Sequence, residues 1–371
     1  MKLYYLVVFI LFISLQFSCS KTDDSEEYIP ISPVTVDLTQ VPYAKLSEYY
    51  FFDGEIKNQI PSLNVLPYEP ASSLFTDYAH KKRFVWMPLG VKATFNQDNN
   101  VLELPVGAAL IKTFYYNNVQ NVTPVGASRI IETRLMIRKS TGWIFADYIW
   151  NDQQTEAFLD TTGNGGVTTV EWKDENNAMK SVNYRIPTSP QCTVCHNANE
   201  VPIPIGIKPQ NLNYNYSYGS ESKNQLTKWI EQGYLESNFT FPTAYKTAIN
   251  YNDTSKSLEQ RVRSYVDINC SHCHQTNGYC SYRPMRFAYS ETATTDGLMN
   301  MGVCLDTQDL SDLPKELNKI VYPGSINKSM MYYRMNTEFE GFKMPLLGRT
   351  IVHKEAVDMV EQWINSLEPC N

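Results

Sequence analysis

Cys192-Thr-Val-Cys195-His196 and Cys270-Ser-His-Cys273-His274 both follow the pattern C-x-x-C-H, and the rest of the sequence is interpreted around them. Chance placement of eight Cys and five His in 371 residues yields such a pentapeptide roughly 0.002 times. In one helical turn the two Cys and the His share a face. Thiols at that spacing can form thioethers with the two vinyl groups of one porphyrin, while the imidazole binds its iron. The sequence therefore predicts two covalently bound c-type haems, attached through Cys192, Cys195, Cys270 and Cys273, with His196 and His274 as iron ligands.

Two other chemistries use C-x-x-C pairs. Structural zinc sites with four ligands usually join two such pairs into one closed site. Thioredoxin-like proteins oxidise the pair to a disulfide, but no thioredoxin βαβ pattern surrounds either pair in this sequence. Haem attachment uses all three residue types of the pattern, so it is the favoured interpretation.

The second pentapeptide lies between two predicted helices. Ser257-Leu-Glu-Gln260 is a capping box, and the helix that it opens leads directly into Cys270. Residues 353–367 repeat apolar side chains at helical spacing and predict a second amphipathic helix. Lys343-Met344-Pro345 lies between the two helices.

This order of elements resembles the single-haem cytochrome c fold. The resemblance implies an all-α, cytochrome c-like domain over residues 246–371, with Met344 as the second ligand of that haem iron. A thioether ligand stabilises ferrous iron. Three other methionines, Met330, Met331 and Met335, lie in a predicted helix that packs on the core. His272, inside the second pentapeptide, is expected to face the solvent.

The first pentapeptide has no second iron ligand nearby, since residues 197–269 contain neither Met nor His. Met87, in Trp86-Met-Pro-Leu-Gly90, is the first choice among the remote candidates. The others are His80, Met136, Met179 and His353. The alternative is an open site, in which this haem binds a small molecule. Residues 188–245 are assigned to the attachment of the first haem.

The N-terminal half alternates apolar and polar residues in the way of β-strands. Arg129–Lys139 and Gly142–Trp150 are the clearest examples, and Val167–Trp172 and Met179–Ile186 flank a polar turn as a hairpin. We therefore expect a β-rich, β-sandwich-like domain over residues 46–187 that carries the first haem at its end. The fold class predicted for the whole chain is α+β and multidomain.

The N-terminus has the pattern of an export signal. Lys2 precedes the apolar run Leu3–Phe17, which is shorter than the about 20 residues that span a bilayer. Residues 1–18 are therefore predicted to be a signal peptide. Leu15 and Ser18 precede Cys19 in a loose lipobox, which implies a lipid anchor on Cys19. The alternative is ordinary cleavage near Ser18.

The polar, acidic stretch Ser20–Glu27 follows this cysteine and predicts a flexible tether over residues 19–45. It resembles the acidic export tag of some Gram-negative surface lipoproteins. The expected location is the outer membrane, on its periplasmic or cell-surface face, with membrane contact through the lipid alone.

Composition and charge exclude other classes of protein. Hydrophobic residues make up 43% and charged residues 19%, which suits a folded core. A net charge of −7 argues against binding to nucleic acid, because phosphate recognition needs clustered positive charge.

Three cysteines lie outside the two pentapeptides: Cys280, Cys304 and Cys370. In an oxidising compartment two of them are expected to form a disulfide. Cys280–Cys304 is the favoured pair because both lie in the predicted helical domain. Spacing alone does not fix connectivity, so Cys370 remains an alternative partner for either cysteine.

Several further strings resemble an uncharacterised family of exported dihaem c-type cytochromes, over about residues 65–368. Besides the two pentapeptides, the matching strings are Phe75-Thr-Asp-Tyr-Ala-His-Lys-Lys-Arg83, Leu104-Pro-Val-Gly107, Lys112-Thr-Phe114, Glu132-Thr-Arg134, Tyr148-Ile-Trp-Asn151, Gln154-Thr-Glu-Ala157 and Lys343–Arg349. The resemblance implies two haems and export, and it specifies no reaction.

The β-rich half is also similar to mono-haem cytochromes that crosslink a lysine to the haem and oxidise hydroxylamine. Lys112 falls near the position of that lysine. Gas-binding relatives of those cytochromes lack the crosslink and leave the iron five-coordinate. This likeness implies an open face on the first haem. A strand lysine that reaches the solvent is the ordinary alternative for Lys112.

The expected function is electron transfer in the cell envelope by a dihaem c-type cytochrome lipoprotein, with redox proteins as partners. The alternatives are a haem enzyme, either peroxidase-like or oxidising a small nitrogen compound, and a gas-binding haem protein. No acid–base pair in the sequence identifies a catalytic residue, so an electron carrier is favoured over an enzyme.

Overall fold

β-Strands dominate residues 52–224 of the structure, a computed structural model that describes residues 30–95, 101–308 and 312–370. β1 (Phe52–Asp53) pairs with β2 (Ile60–Pro61). The main sheet is an antiparallel meander of six strands: β3 (Leu66–Pro67), β4 (His80–Trp86), β5 (Ala109–Tyr116), β6 (Arg129–Lys139), β7 (Gly142–Trp150) and β8 (Ala157–Leu159). Three hairpins follow: β9 (Gly166–Lys173) with β10 (Met179–Ile186), β11 (Asn197–Ala198) with β12 (Val201–Pro202), and β13 (Asn215–Tyr218) with β14 (Glu221–Asn224).

The alternating pattern of the sequence correctly predicted β6, β7, β9 and β10, whereas the short pairs β1–β2, β11–β12 and β13–β14 were not predicted. The bounds of β6 and β7 coincide with the predicted ones, and β9 and β10 form the expected hairpin. At the hairpin turn, Asp174 Oδ1 accepts hydrogen bonds from the backbone nitrogens of Asn176 and Ala178, both at 2.9 Å. This polar turn fixes the register of the two strands.

The two faces of the main sheet bury different partners. One face packs against the N-terminal segment, including Leu46, Tyr49 and Phe51. The other face packs against Trp172 and Tyr184 of the β9–β10 hairpin. The second layer of the predicted sandwich is therefore a two-stranded hairpin, because the chain turns from β10 into the first C-x-x-C-H segment instead of adding strands.

The folded chain begins earlier than the predicted tether allows. Val34, Val36 and Leu38 pack against the sheet core, and Val41 is buried. The backbone nitrogen of Thr35 donates to the carbonyl of Tyr49 at 3.1 Å. The tether prediction was therefore wrong for residues 34–41, whose apolar residues alternate and can cover a sheet. The predicted signal peptide (residues 1–18), Cys19 and the acidic stretch lie outside the described residues.

Helices are concentrated in the C-terminal half. In the described part of the chain the α-helices are α1 (Ser189–Cys195), α2 (Pro209–Leu212), α3 (Gln225–Glu231), α4 (Leu258–Asn269), α5 (Tyr289–Thr292), α6 (Gly297–Asn300), α7 (Met330–Met335) and α8 (Lys354–Ser366). No helix among these residues is long and apolar enough to cross a membrane. The fold is thus mixed, with both β-sheets and α-helices, as the sequence predicted.

The two long helices, α4 and α8, are the pair that the sequence predicted. Ser257 Oγ accepts from the backbone nitrogen of Gln260 at 3.3 Å, so the capping residue is confirmed. Val262 and Val266 of α4 pack with Val360 of α8 in one buried cluster. These apolar positions recur every three or four residues, which explains why the pattern identified both helices.

The sheet half and the helical half are joined by direct contacts. The ring of Phe75 stacks on His353 with centroids 4.0 Å apart. The carboxylate of Asp77 accepts hydrogen bonds from the backbone nitrogens of Thr350 at 2.7 Å and Ile351 at 3.2 Å. Residues 33–371 accordingly cluster as one unit.

The disulfide joins Cys304 to Cys370 across 66 residues, whereas Cys280 is a buried free thiol. The predicted Cys280–Cys304 pair was therefore wrong. Helix α8 lies against the cluster that contains Cys304 and carries the C-terminus to it. The backbone nitrogen of Cys280 instead donates to the carbonyl of Cys273 at 3.0 Å, beside the second C-x-x-C-H turn.

We expect Cys370→Ala to lower the free energy of unfolding by about 2–4 kcal/mol, because the disulfide restricts the unfolded chain. Chemical denaturation of the non-reduced protein measures this loss. The matched control is Cys280→Ala, which keeps the disulfide. Non-reducing peptide mapping should link Cys304 to Cys370, and a peptide linked through Cys280 would contradict the assignment.

Candidate functional site

The first C-x-x-C-H segment is one turn of helix. Helix α1 starts after Thr188, whose backbone nitrogen donates to Gln191 Oε1 at 3.0 Å. At the end of α1 the backbone nitrogen of His196 donates to the carbonyl of Cys192 at 2.9 Å. This bond places Cys192, Cys195 and His196 on one face, as the spacing predicted.

The second segment repeats the same geometry directly after α4. The backbone nitrogen of His274 donates to the carbonyl of Cys270 at 3.0 Å, and that of Cys273 donates to the same oxygen at 3.2 Å. Each pentapeptide thus presents two thiols and an imidazole from a single turn. These are free thiols, so neither pair is a disulfide.

Both histidines are partly buried, neutral imidazoles. Burial lowers the pKa of His196 to about 3 and the pKa of His274 to about 4. His196 Nδ1 lies 2.9 Å from the carbonyl oxygen of Ile203, which can only accept, so Nδ1 carries the proton and Nε2 keeps a free lone pair. His274 Nδ1 is buried and has no hydrogen-bond partner within the described chain.

Each segment faces its own cavity. Cys192, Cys195 and His196 line a first cavity of about 400 Å³, whose wall also includes residues of the main sheet and of the loop at 345–350. Cys270, Cys273 and His274 line a second cavity of about 320 Å³ within the helical half. Both volumes fall in the range of small-molecule and cofactor sites. Two thiols and a neutral imidazole facing a cavity of that size are a donor set that fits a c-type haem.

The two segments touch through their inner cysteines. Ligand atoms of Cys195, His272 and Cys273 all lie within 4.8 Å of one another. A hydrogen bond with the Cys273 thiol lowers the pKa of Cys195 well below its usual value. Cys195 and His272 line both cavities. The prediction that His272 faces the solvent was wrong, since it is only 8% exposed and packs where the two segments meet.

Met344 lies in the second cavity, and so do the three rival methionines of α7. Met331 and Met335 pack in the buried cluster of α4 and α8, and Met330 packs with Leu313. Met344 belongs to none of the buried apolar clusters of the described chain. Met285 also lines this cavity but packs against the α4–α8 cluster, so Met344 is the lining methionine that lies outside the clusters of the described chain.

Arg349 holds the loop that carries Met344. Its guanidinium donates to the carbonyls of Met344 at 3.0 Å and Ile351 at 3.2 Å, and to that of Thr337 at 2.9 Å. The buried Lys343 ammonium donates to the carbonyl of Arg349 at 2.8 Å. These bonds satisfy loop carbonyls that no helix or strand pairs. Sequence analysis missed both cations, whose only sign was their place in the string Lys343–Arg349.

Of the five remote ligand candidates for the first haem, Met136 alone lines the first cavity. Met87 is 1% exposed and packs in the core beside Tyr234, because it continues the alternation at the end of β4. The structure therefore does not bring Met87 to His196. His80 and Met179 are exposed, and His353 stacks on Phe75.

We expect Arg349→Gln to lower the free energy of unfolding by about 2–4 kcal/mol, because several buried carbonyls lose a charged donor. Limited proteolysis should then cut within residues 336–351. The control is Arg185→Gln, since Arg185 is 56% exposed and pairs with Glu340 at the surface. Equal cleavage of the two variants would show that Arg349 does not hold the loop.

Comparisons of the chain with protein-family models, with curated proteins and with solved structures found no match. The interpretation of the site therefore rests on its own side chains. Three features of the site matter for this: the two C-x-x-C-H turns, the two cavities that these turns face, and the contact between Cys195 and Cys273.

Proposed function

We propose that this protein is a dihaem c-type cytochrome that transfers electrons in the cell envelope. One observation carries the proposal: each C-x-x-C-H turn presents two thiols and a neutral imidazole to a separate cavity, and the two turns meet at Cys195 and Cys273. Bound haem iron supplies one-electron redox chemistry. The helical half would then be a cytochrome c-like domain.

Different residues of the chain attach each haem and orient its histidine ligand. Cys192 and Cys195 attach the first haem, and the carbonyl of Ile203 holds the ring of His196 in the tautomer that leaves Nε2 free. The ring of Phe145 packs against His196 with centroids 5.3 Å apart. These contacts orient the imidazole before any metal binds.

The second site is held in the same way with different neighbours. Cys270 and Cys273 attach the haem, and His274 packs against Phe287 with ring centroids 5.4 Å apart. Met344, on the loop clamped by Arg349, supplies the second iron ligand. A thioether ligand raises the reduction potential, so this site would be the more oxidising of the two.

Contact between the two turns supports electron exchange between the sites. Cys195 lines both cavities, and its sulfur lies within 4.8 Å of the sulfur of Cys273. The attachment points of the two haems would thus lie no more than 4.8 Å apart, with the His272 imidazole beside them. No conformational change is needed to bring the sites together.

Zinc is a weaker candidate for the same residues. Cys195, His272 and Cys273 are placed to hold a metal ion, but a closed structural zinc site takes four ligands. Cys192 and Cys270 stand outside this group. Zinc would leave the first cysteine of each pentapeptide without a role, whereas haem attachment uses both.

An open first site is the second candidate function. Met136 and Lys112 line the first cavity beside His196, and its wall also includes the charged residues Arg134, Asp147 and Asp160. Such a wall suits a polar substrate, so a haem enzyme that reduces peroxide or oxidises a small nitrogen compound remains the alternative. A gas-binding protein is a further alternative with the same open site.

The proposed location is the outer membrane, through a lipid on Cys19, on the periplasmic or cell-surface face. This proposal depends on the signal, the lipobox and the acidic stretch of residues 1–27, which lie outside the described residues. Redox proteins of the envelope are the proposed partners.

The exported protein should carry two covalently bound haems, measured by the pyridine haemochrome assay and intact mass. Cys192→Ala and Cys270→Ala should each retain one correctly attached haem, because each removes one thioether from a different site. Cys280→Ala is the control and should retain both. Colourless protein, or protein that contains zinc in place of haem, would disprove the proposal.

Met344→Ala should abolish the Met–iron charge-transfer band and lower the potential of one haem, because the thioether ligand is lost. Met335→Ala, from the same cavity, is the matched control and should keep the band. If Met335→Ala loses the band and Met344→Ala keeps it, the iron ligand is a methionine of α7.

Carbon monoxide added to the reduced wild-type protein tests the first site. An unchanged spectrum would exclude the enzyme and gas-binding alternatives.

A further inference from the structure

Three cations stand in one row across the main sheet. Arg83 on β4 lies directly opposite Lys112 on β5, and Lys112 lies directly opposite Arg134 on β6. Asp147 on β7 completes the row. Side chains that face each other across neighbouring strands share one face of the sheet, and like charges so placed destabilise it. The row therefore needs compensating negative charge.

The aromatic ring beneath the row compensates only part of this charge. Lys112 Nζ lies 4.9 Å and Arg134 Cζ 4.4 Å from the ring centroid of Phe114, and Lys81 Nζ lies 5.9 Å from it. A cation–π contact stabilises a cation by less than desolvation of that cation costs. Burial accordingly lowers the pKa of Lys112 well below its usual value.

The nearby carboxylates leave Lys112 without a partner. Glu132 accepts from Arg134 Nε at 2.8 Å and from the hydroxyl of Tyr184 at 2.5 Å. Its negative charge is therefore already paired with Arg134. Burial and the charge of Glu132 raise the pKa of Asp147 well above its usual value, which favours its neutral form. Within the described chain, Lys112 Nζ has neither a hydrogen bond nor an ion pair.

Lys112 and Arg134 both line the first cavity, beside Cys192 and His196. Arg134 reaches Glu132 through Nε and one terminal nitrogen, which leaves N–H donors for another acceptor. A lysine and an arginine with free donors on one cavity wall form a site for a planar or compact anion.

We propose that Lys112 and Arg134 form an anion-binding site in the first cavity, which takes a carboxylate or a small oxyanion. Two sources can supply this chemistry: the carboxylates of an attached haem, or a free anion that enters the cavity. The first source rests on the proposed function, and the second does not. Glu69 lies 3.9 Å from Arg83, and Glu132 pairs with Arg134. In both cases the anion therefore provides a negative partner for Lys112.

The test uses the exported full-length protein and sodium nitrite as the probe, titrated against chloride at constant ionic strength. Calorimetry measures nitrite binding without needing any haem, and a redox titration at several pH values measures the potential of each haem. The variants are Lys112→Gln and Lys112→Arg. The matched control is Lys82→Gln, an exposed lysine of β4 on the opposite face of the sheet.

If the anion is free, the wild type, Lys112→Arg and Lys82→Gln bind nitrite, and Lys112→Gln binds it at least tenfold more weakly. If haem carboxylates occupy the site, no variant with intact Lys112 binds nitrite, and Lys112→Gln shifts the pH dependence of one haem potential to higher pH. The shift follows because a carboxylate that loses its cation protonates more readily.

The proposal is overturned if Lys112→Gln matches Lys82→Gln in both measurements. A colourless protein would disprove the haem function. In such a protein, nitrite binding that depends on Lys112 would still support the anion site, and the absence of nitrite binding would overturn the anion site. Should Lys112→Gln not fold, Lys112→Met replaces it. That variant also removes the cation, so the same nitrite and redox titrations apply to it, and a result equal to that of Lys82→Gln in both overturns the proposal.

Discussion

The arrangement of the two C-x-x-C-H turns depends on one buried carboxylate, that of Asp267, which lies in the last turn of α4 and is 2% exposed. Asp267 Oδ1 accepts from Lys208 Nζ at 3.0 Å and from the backbone nitrogen of Tyr289 at 2.9 Å, and Oδ2 accepts from Asn211 at 2.8 Å. Lys208 also donates to Ser271 Oγ, inside the second turn, at 3.2 Å. Lys208 and Asn211 belong to the segment that follows the first turn. Because an unpaired buried charge costs about 3–5 kcal/mol, the network selects one placement of the two turns.

This placement makes the two sites neighbours while keeping their surroundings different. The second cavity lies inside the helical half, and its wall includes five methionines and Phe287. The first cavity lies between α1 and the main sheet, and its wall includes Lys112, Arg134 and Asp147. Cys195 and His272 line both cavities, and so do Pro345, Leu346 and Leu347 of the loop that carries Met344. Two groups attached by the same pentapeptide would thus meet an apolar environment on one side and a charged one on the other.

Local patterns in the sequence were sufficient for the secondary structure and for the shape of each pentapeptide. The bounds of β6, both long helices and the capping role of Ser257 all follow from contacts within a few residues. The wrong predictions concern contacts between distant residues. His272 is buried by a segment nearly eighty positions earlier, and Cys304 pairs with a residue 66 positions later. Met87 shows the same limit: its Met-Pro string resembles a ligand loop, but the sheet folds it into the core.

The cation row explains why sequence spacing could not reveal the character of the first site. Arg83, Lys112 and Arg134 are separated by more than twenty residues each and come together only through strand register. A row of like charges weakens a sheet unless carboxylates compensate it. Glu69 pairs with Arg83 and Glu132 pairs with Arg134, so Lys112 is the cation of the row that is left to the cavity. The main sheet therefore does more than support the first C-x-x-C-H turn, because its face sets the electrostatic field at His196. Lys112 and Arg134 both lower the pKa of this histidine, in addition to the larger effect of burial. The same field would favour the electron-rich, anionic forms of whatever occupies the cavity, which ties the chemistry of the first site to the register of three strands.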